Sequence, residues 1–184
     1  MTYALIYKPQ IDTSLIDMFQ QEYDPYYHLA GAHFTLIFPT PEMIGEDQLI
    51  QHIKNTLDRW KPFKIHIQGL EKSWDNWLYL LVQEGNSELT KLHDELYAGI
   101  MSPFLRKDLP YIPHIGLGLF IKRKRDYKVT NPRRLSFNQS EFERVYKKAK
   151  SLNLNYETMV EKLELVKLDN ELKKIVWVKK FILK

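Results

Sequence analysis

The sequence contains no cysteine, which removes several kinds of chemistry at once. Disulfide bridges, thiolate nucleophiles and zinc sites built on thiolates are all excluded. No apolar run is long enough to span a membrane, and the apolar stretch at the start, MTYALIYK, lacks the basic region and the cleavage site of a signal peptide. We therefore interpret that stretch as a first strand and expect a cytoplasmic protein.

Loops that bind nucleotide phosphates are also missing from the sequence. Gly-Lys-Ser/Thr never occurs, and GLGLFI, residues 116–121, has only two glycines of a dinucleotide-binding fingerprint and no helix start after them. ATP and NAD are therefore disfavoured as cofactors. The acidic residues are scattered, which disfavours two-metal sites and glycosidases. We expect no cofactor and no metal ion.

What the chain does contain is typical of a globular protein. Of its 184 residues, 44% are hydrophobic and 27% are charged, and no linker rich in Gly, Ser or Pro divides it. This length suits one domain over residues 1–184, built as two small lobes that share a core.

The net charge of +4 is concentrated in one segment. KRKRDYKVTNPRR, residues 122–134, has seven basic residues and one acidic residue, so the rest of the chain is slightly acidic. A solvated loop fits this pattern, and so does a contact with an anion or a nucleic acid. In the second case Lys122, Arg123 and Arg125 are possible contacts for the backbone of an RNA end.

The apolar periodicity repeats one order of elements in the two halves of the chain. Strand, helix, strand, helix and strand follow one another from residue 3 to about 70, and again from about 77 to 168. The C-terminal region, residues 155–183, is predicted to form two strands that turn at LDNE. Because few residues are identical between the halves, the repeat is architectural, and it predicts an α+β fold with two similar lobes.

The third element of each half opens with a histidine. In GAHFTLIFP, residues 31–39, strict alternation gives one face of the strand to Phe34, Leu36 and Phe38 and the other face to His33, Thr35 and Ile37. The first face is predicted to be core, whereas the second begins with an imidazole and a hydroxyl. A polar pair at a strand end explains these two side chains without any function and is the simpler interpretation of this stretch alone, and half of a binding site is the alternative.

The second such strand, PHIGLGLF, has His114 and Gly116 at the equivalent positions. Two motifs related to His-x-Ser/Thr-apolar, about 80 residues apart with a proline before the second, resemble those of the 2H phosphoesterase superfamily, which includes the LigT-like 2′-5′ RNA ligases and cyclic phosphodiesterases. The specific match is limited to HFTL, HIGL and Pro113. The resemblance implies two pseudo-symmetric lobes, each an antiparallel sheet with two helices, around a central cleft.

The same resemblance implies a role for each motif residue. His33 and His114 would be the general acid and base, and Thr35 would bind the phosphate. Gly116 departs from the motif, because the superfamily has Ser or Thr there. Backbone amides could bind phosphate at Gly116, the space could accept a bulkier substrate group, or the protein could be a poor catalyst.

The reaction that the resemblance implies, hydrolysis of a phosphodiester, needs two groups that transfer protons. Opening a 2′,3′-cyclic phosphodiester requires a base to take a proton from water and an acid to protonate the departing ribose oxygen, and imidazole can do either near neutral pH. The predicted function is therefore a metal-independent phosphoesterase that acts on a 2′,3′-cyclic phosphate or a 2′-5′ phosphodiester of RNA or of a small nucleotide. The alternatives are a weak or inactive RNA- or nucleotide-binding module that uses the same cleft and the basic loop, and a protein-binding adaptor with no affinity for phosphate.

Three aromatic residues are further candidates. Tyr111 precedes His114 by three residues and is a possible substrate contact in the cleft. Trp74 and Trp77 flank the predicted hairpin turn SWDNW, where their rings could stack on a base or pack across the strands.

Overall fold

The computed structural model describes residues 1–122, 136–171 and 173–184. The strands in this part of the chain are β1 (Thr2–Tyr7), β2 (Phe34–Pro41), β3 (Phe63–Lys72), β4 (Trp77–Val82), β5 (His114–Leu119), β6 (Asn155–Val160), β7 (Lys162–Asp169) and β8 (Lys174–Ile182). The helices are α1 (Ser14–Tyr23), α2 (Tyr27–Ala30), α3 (Glu46–Leu57), α4 (Asn86–Leu96) and α5 (Gln139–Ser151), with a short 3₁₀ helix at Gly99–Phe104.

The strands form two antiparallel sheets of four strands each, in the orders β2-β1-β7-β8 and β5-β4-β3-β6. We call them the first and the second sheet. The two orders correspond, because each sheet begins at its edge with a strand that follows or contains a motif histidine. The predicted α+β fold with two similar lobes is thereby confirmed.

Local sequence explains where helices form. In α5, the Asn138 side chain accepts a hydrogen bond from the Glu141 N–H at 3.4 Å and so satisfies a backbone donor of the first turn. Phe142, Val145 and Ala149 recur at helical spacing and are buried. No helix in the described ranges is long and apolar enough to cross a membrane.

Each motif strand packs against a helix that follows a strand of the opposite sheet. Helix α1 follows β1 but packs on β5, where Tyr23 lies so close that a Cβ on Gly118 would be 2.3 Å from its Cβ. Helix α4 follows β4 but packs on β2, and the Tyr97 hydroxyl at its end accepts a hydrogen bond from the Phe38 N–H at 3.0 Å. Buried side chains of both sheets form one hydrophobic cluster. The helices therefore hold the two sheets together beside the motif strands.

Strand β2 does not keep the strict alternation that the sequence predicts. Phe38 is 42% exposed, whereas Ile37 is buried, so the prediction is wrong for both residues. The register explains this difference, because Ile6 pairs with Thr35 while its neighbour Leu5 pairs with Ile37. This bulge places two residues of β2 opposite one residue of β1 and reverses the faces beyond Leu36.

The C-terminal region forms three strands, not the predicted two. The chain leaves the second sheet after β6 and enters the first sheet with β7, and only Glu161 separates these strands. The Glu161 carbonyl accepts a hydrogen bond from the Leu183 N–H at 2.9 Å. Because neither Gly nor Pro marks this crossing, the sequence gives no break signal there.

Candidate functional site

The two sheets line a cleft with a volume of about 1550 Å³. The edge strands β2 and β5 meet at this cleft, where their Cα atoms come within 8 Å of each other. His33 and Thr35 line it from the first lobe, and His114 and Gly116 line it from the second. The structure thus brings the four motif positions together in one cleft.

The two imidazoles are held in the same way. Nδ1 of His33 lies 2.7 Å from the Gly31 carbonyl oxygen, and Nδ1 of His114 lies 2.6 Å from the Ile112 carbonyl oxygen. A carbonyl oxygen can only accept a hydrogen bond, so Nδ1 carries the proton in both rings. In the neutral state Nε2 of each ring is therefore the atom that can accept a proton.

The surroundings of both rings favour the neutral imidazole. Removal of water from around the ring lowers the pKa of His33, and the bond to the Gly31 carbonyl only partly opposes this effect. The same desolvation is the largest cause of the lowered pKa of His114, which is about 4, and the charge of His33 acts in the same direction. Both rings are consequently neutral at pH 7, and a proton on one disfavours a proton on the other.

An aromatic ring supports His114 from its side. The Tyr79 ring stacks on the imidazole with 3.5 Å between ring centroids and 20° between planes. The Tyr79 hydroxyl donates to Asp75 at 3.5 Å, and burial raises the pKa of Tyr79, so the phenol stays protonated. Alternation along β4 could have placed Tyr79 on the cleft face, but its pairing with Gly116 across the strands gives no signal in the sequence.

Each motif strand also receives a hydrogen bond from the other lobe. The Tyr111 hydroxyl donates to the Thr35 carbonyl oxygen at 3.0 Å, and its ring stacks on His93 at 3.9 Å. Nε2 of Gln20, in α1, donates to the Gly116 carbonyl oxygen at 2.7 Å. Tyr111 thus lies in the cleft wall, where the sequence predicts it. The roles of Gln20 and His93 were missed, because a contact between distant segments leaves no local pattern.

Replacing Tyr111 with Phe is expected to lower the free energy of unfolding by about 1 kcal/mol, because the Thr35 carbonyl loses its donor in a partly buried place. Denaturant unfolding measures this loss. Tyr27→Phe is the matched control, because the Tyr27 hydroxyl accepts only an exposed bond from Gln21, and we expect a change within about 0.5 kcal/mol. Equal losses in both variants would contradict the role given to Tyr111.

The Thr35 side chain faces the same cleft. Within the described ranges its hydroxyl has no hydrogen-bond partner, so it can donate to a ligand. No group of three His, Asp or Glu side chains that could hold a metal ion occurs among the residues that the structure describes.

Comparison with known proteins places the chain in a family. A family model described as the 2′-5′ RNA ligase superfamily matches residues 7–172. The chain belongs to this superfamily. The resemblance found in the two histidine motifs is thereby confirmed. No curated protein matches the chain.

Solved structures of the superfamily's fold are similar over the whole chain. E. coli LigT complexed with NADP⁺ is 14% identical, and the match covers 100% of this chain and 94% of that one with a TM-score of 0.53. A protein described as a phosphoesterase is 12% identical, with 100% and 95% covered and a TM-score of 0.50. At these identities the likeness shows a shared fold.

At Gly116, where the resemblance implies a second hydroxyl, an aromatic ring lies beside the glycine. A Cβ on Gly116 would be 3.2 Å from Cε3 and Cζ3 of the Trp77 indole, which is tighter than ordinary contact. The ring of Trp77 thus occupies the space beside Gly116 on the cleft wall. Trp74, which is 48% exposed, lines the same cleft.

The predicted basic contacts are not among the described residues that line the cleft. Lys122 is exposed, and its N–H donates to the Ser136 carbonyl oxygen at 2.8 Å. Arg123 and Arg125 lie outside the described residues. A role for these three residues in this superfamily member stays a prediction.

Proposed function

We propose that this protein is a metal-independent phosphoesterase that opens a 2′,3′-cyclic phosphate or cleaves a 2′-5′ phosphodiester, in RNA or in a small nucleotide. One observation carries the proposal. Two neutral imidazoles, His33 and His114, line one cleft from two lobes, and each is oriented by a hydrogen bond from Nδ1 to the carbonyl two residues before it. Such a pair can divide proton uptake and proton donation on the two sides of one phosphorus atom.

The proposed reaction moves two protons. One imidazole takes a proton from water through Nε2 while the water oxygen forms a bond to phosphorus. The bond from phosphorus to the ribose oxygen breaks, and the second imidazole, in its protonated form, donates its Nε2 proton to that oxygen. The anionic phosphate favours the charged form of nearby imidazoles, so substrate binding opposes the desolvation that keeps both rings neutral.

Thr35 is proposed to bind the phosphate. Its hydroxyl lies two residues along the strand from His33 and can donate to a non-bridging oxygen. The opposite strand offers no side-chain hydroxyl, because glycine stands at position 116. One lobe therefore supplies the hydroxyl contact, and the other supplies the imidazole that rests on Tyr79.

The size of the cleft suits a nucleotide or an RNA end. Its volume of about 1550 Å³ exceeds the range of roughly 300–1,000 Å³ that is typical for drug-sized ligands. E. coli LigT, which shares the fold, has been crystallised with NADP⁺. Nucleotide binding in that protein supports the proposed substrate class for this one.

The second candidate function is a nucleotide- or RNA-binding module with weak or no catalysis. The observation that favours it is the Trp77 ring beside Gly116, since a hydroxyl of the superfamily motif is replaced by an aromatic surface. In this case the basic segment, residues 122–134, would contribute to RNA affinity.

A turnover assay in EDTA separates the two functions. The substrates are nucleoside 2′,3′-cyclic monophosphates, a 2′-5′-linked dinucleotide and its 3′-5′ isomer. We expect turnover of the cyclic or the 2′-5′ substrate that EDTA does not reduce. Binding without turnover of any substrate would favour the module, and turnover that requires an added metal ion would contradict the proposed chemistry.

A further inference from the structure

We infer that Trp77 is the platform on which the base of the bound nucleotide stacks, in the place that the second hydroxyl of the motif would take. This inference rests on the proposed function for the phosphate site. It assigns the base to one side of the cleft, namely the second sheet. Trp77 thereby becomes the residue that makes the cleft prefer a nucleotide over a sugar phosphate without a base.

The strands next to the two motif strands place different side chains on the cleft wall. Thr35 pairs with Ile6 in β1, and Gly116 pairs with Tyr79 in β4. Two residues before each partner, on the same strand face, lie Ala4 in β1 and Trp77 in β4, and both line the cleft. In the first lobe, the motif hydroxyl therefore has two aliphatic neighbours on the next strand. In the second lobe, the motif glycine has two aromatic neighbours there.

The aliphatic side chains of Ala4 and Ile6 are already covered. Ala4, Ile6 and Val166 form a separate buried cluster in the first sheet, against which Ala30 of α2 packs. On the second sheet, by contrast, Trp77 is only partly buried and its ring remains part of the cleft wall. A ligand in the cleft can therefore reach Trp77, whereas Ala4 and Ile6 are covered.

Trp77 lies on the same strand as Tyr79, whose ring stacks on His114. Trp77 and Tyr79 are two residues apart on β4, which corresponds to about 6.6 Å along a strand, and Tyr79 stacks directly on His114. A sugar can span this interval between a base on Trp77 and a phosphate beside His114. Base stacking on an aromatic side chain tolerates any base, so we expect affinity for nucleotides without strong discrimination among bases.

Two ligands that differ only in the base test the inference. The probes are adenosine 3′-monophosphate and its abasic analogue, 1-deoxyribose 3-phosphate, and calorimetry measures their affinities. In Trp77→Ala we expect the affinity for the nucleotide to fall by roughly 5- to 150-fold, while the affinity for the abasic analogue changes less than about twofold. Trp77→Phe keeps a ring and is expected to retain most of the nucleotide affinity.

Controls separate stacking from folding and from the phosphate site. Trp177→Ala removes an indole that does not line the cleft, and it should leave both affinities unchanged. If Trp77→Ala lowered the affinity for both probes equally, or lowered neither, the stacking on Trp77 would be overturned. Turnover that depends on His33 and His114 would persist in that case, so the proposed function would stand. Failure of the wild-type protein to bind either probe would overturn the phosphate site, and the platform with it.

Discussion

Replacing either His33 or His114 with alanine is expected to lower kcat on a nucleoside 2′,3′-cyclic monophosphate by roughly 10²- to 10⁴-fold. One ring is needed to take the proton from water and the other to protonate the leaving oxygen, so neither can do the work of both. Because the two groups act in one step, the double variant should lose much less than the product of the two single losses. Steady-state kinetics in EDTA measure all three variants.

His66→Ala is the matched control for these variants. Its Nε2 lies 2.7 Å from the Asn155 side-chain oxygen, and its ring is not part of the cleft wall. We expect its kcat to stay within about twofold of the wild type, as for a half-buried residue away from the site. A large loss in only one of the two motif variants would contradict a shared acid and base pair.

Acid is expected to lower the free energy of unfolding through the buried imidazole of His114. Lowering the pH from 7 to 4 is expected to remove roughly 3 kcal/mol of the free energy of unfolding through His114 alone. The pKa of this imidazole is about 4 in the folded protein, well below its ordinary value of 6.5. As the pH falls, the unfolded chain therefore takes up a proton before the folded protein does. The contribution of His114 is complete above the ordinary value and is lost progressively between pH 6.5 and 4.

Urea unfolding of the wild type and of His114→Gln at several pH values isolates this contribution. Carboxylates titrate in the same range, but they do so in both proteins, so the difference between the two free energies reports on the one ring. We expect that difference to fall as the pH decreases. Parallel curves for wild type and His114→Gln would show that the ring is not desolvated as the structure places it.

The part of the fold that the sequence predicts well is the part with strong periodicity. The order of elements in each half and the two motif strands could be read because strands alternate with period two and because a histidine stands at the start of each motif strand, directly before β2 and as the first residue of β5. The crossing at Glu161 was missed, since a chain can pass from one sheet to the other in extended conformation without Gly or Pro. The bulge that exposes Phe38 was missed because alternation assumes a regular ladder.

The candidate site shows the same limit. His33, Thr35, His114 and the departure at Gly116 are readable as a pattern along the chain. The reason for that departure is not readable, because the Trp77 ring reaches Gly116 from a neighbouring strand and only the register decides which residues meet.

The measurement that tests the central claim most directly is an NMR titration of the imidazole nitrogens with adenosine 3′-monophosphate, with signals assigned from single histidine variants. At pH 7 the free protein should show both His33 and His114 neutral and protonated on Nδ1, as the bonds to the carbonyls of Gly31 and Ile112 require. Added nucleotide should shift Nε2 of both rings and raise the pKa of both. A response from only one ring, or from neither, would contradict a phosphate held between two catalytic histidines.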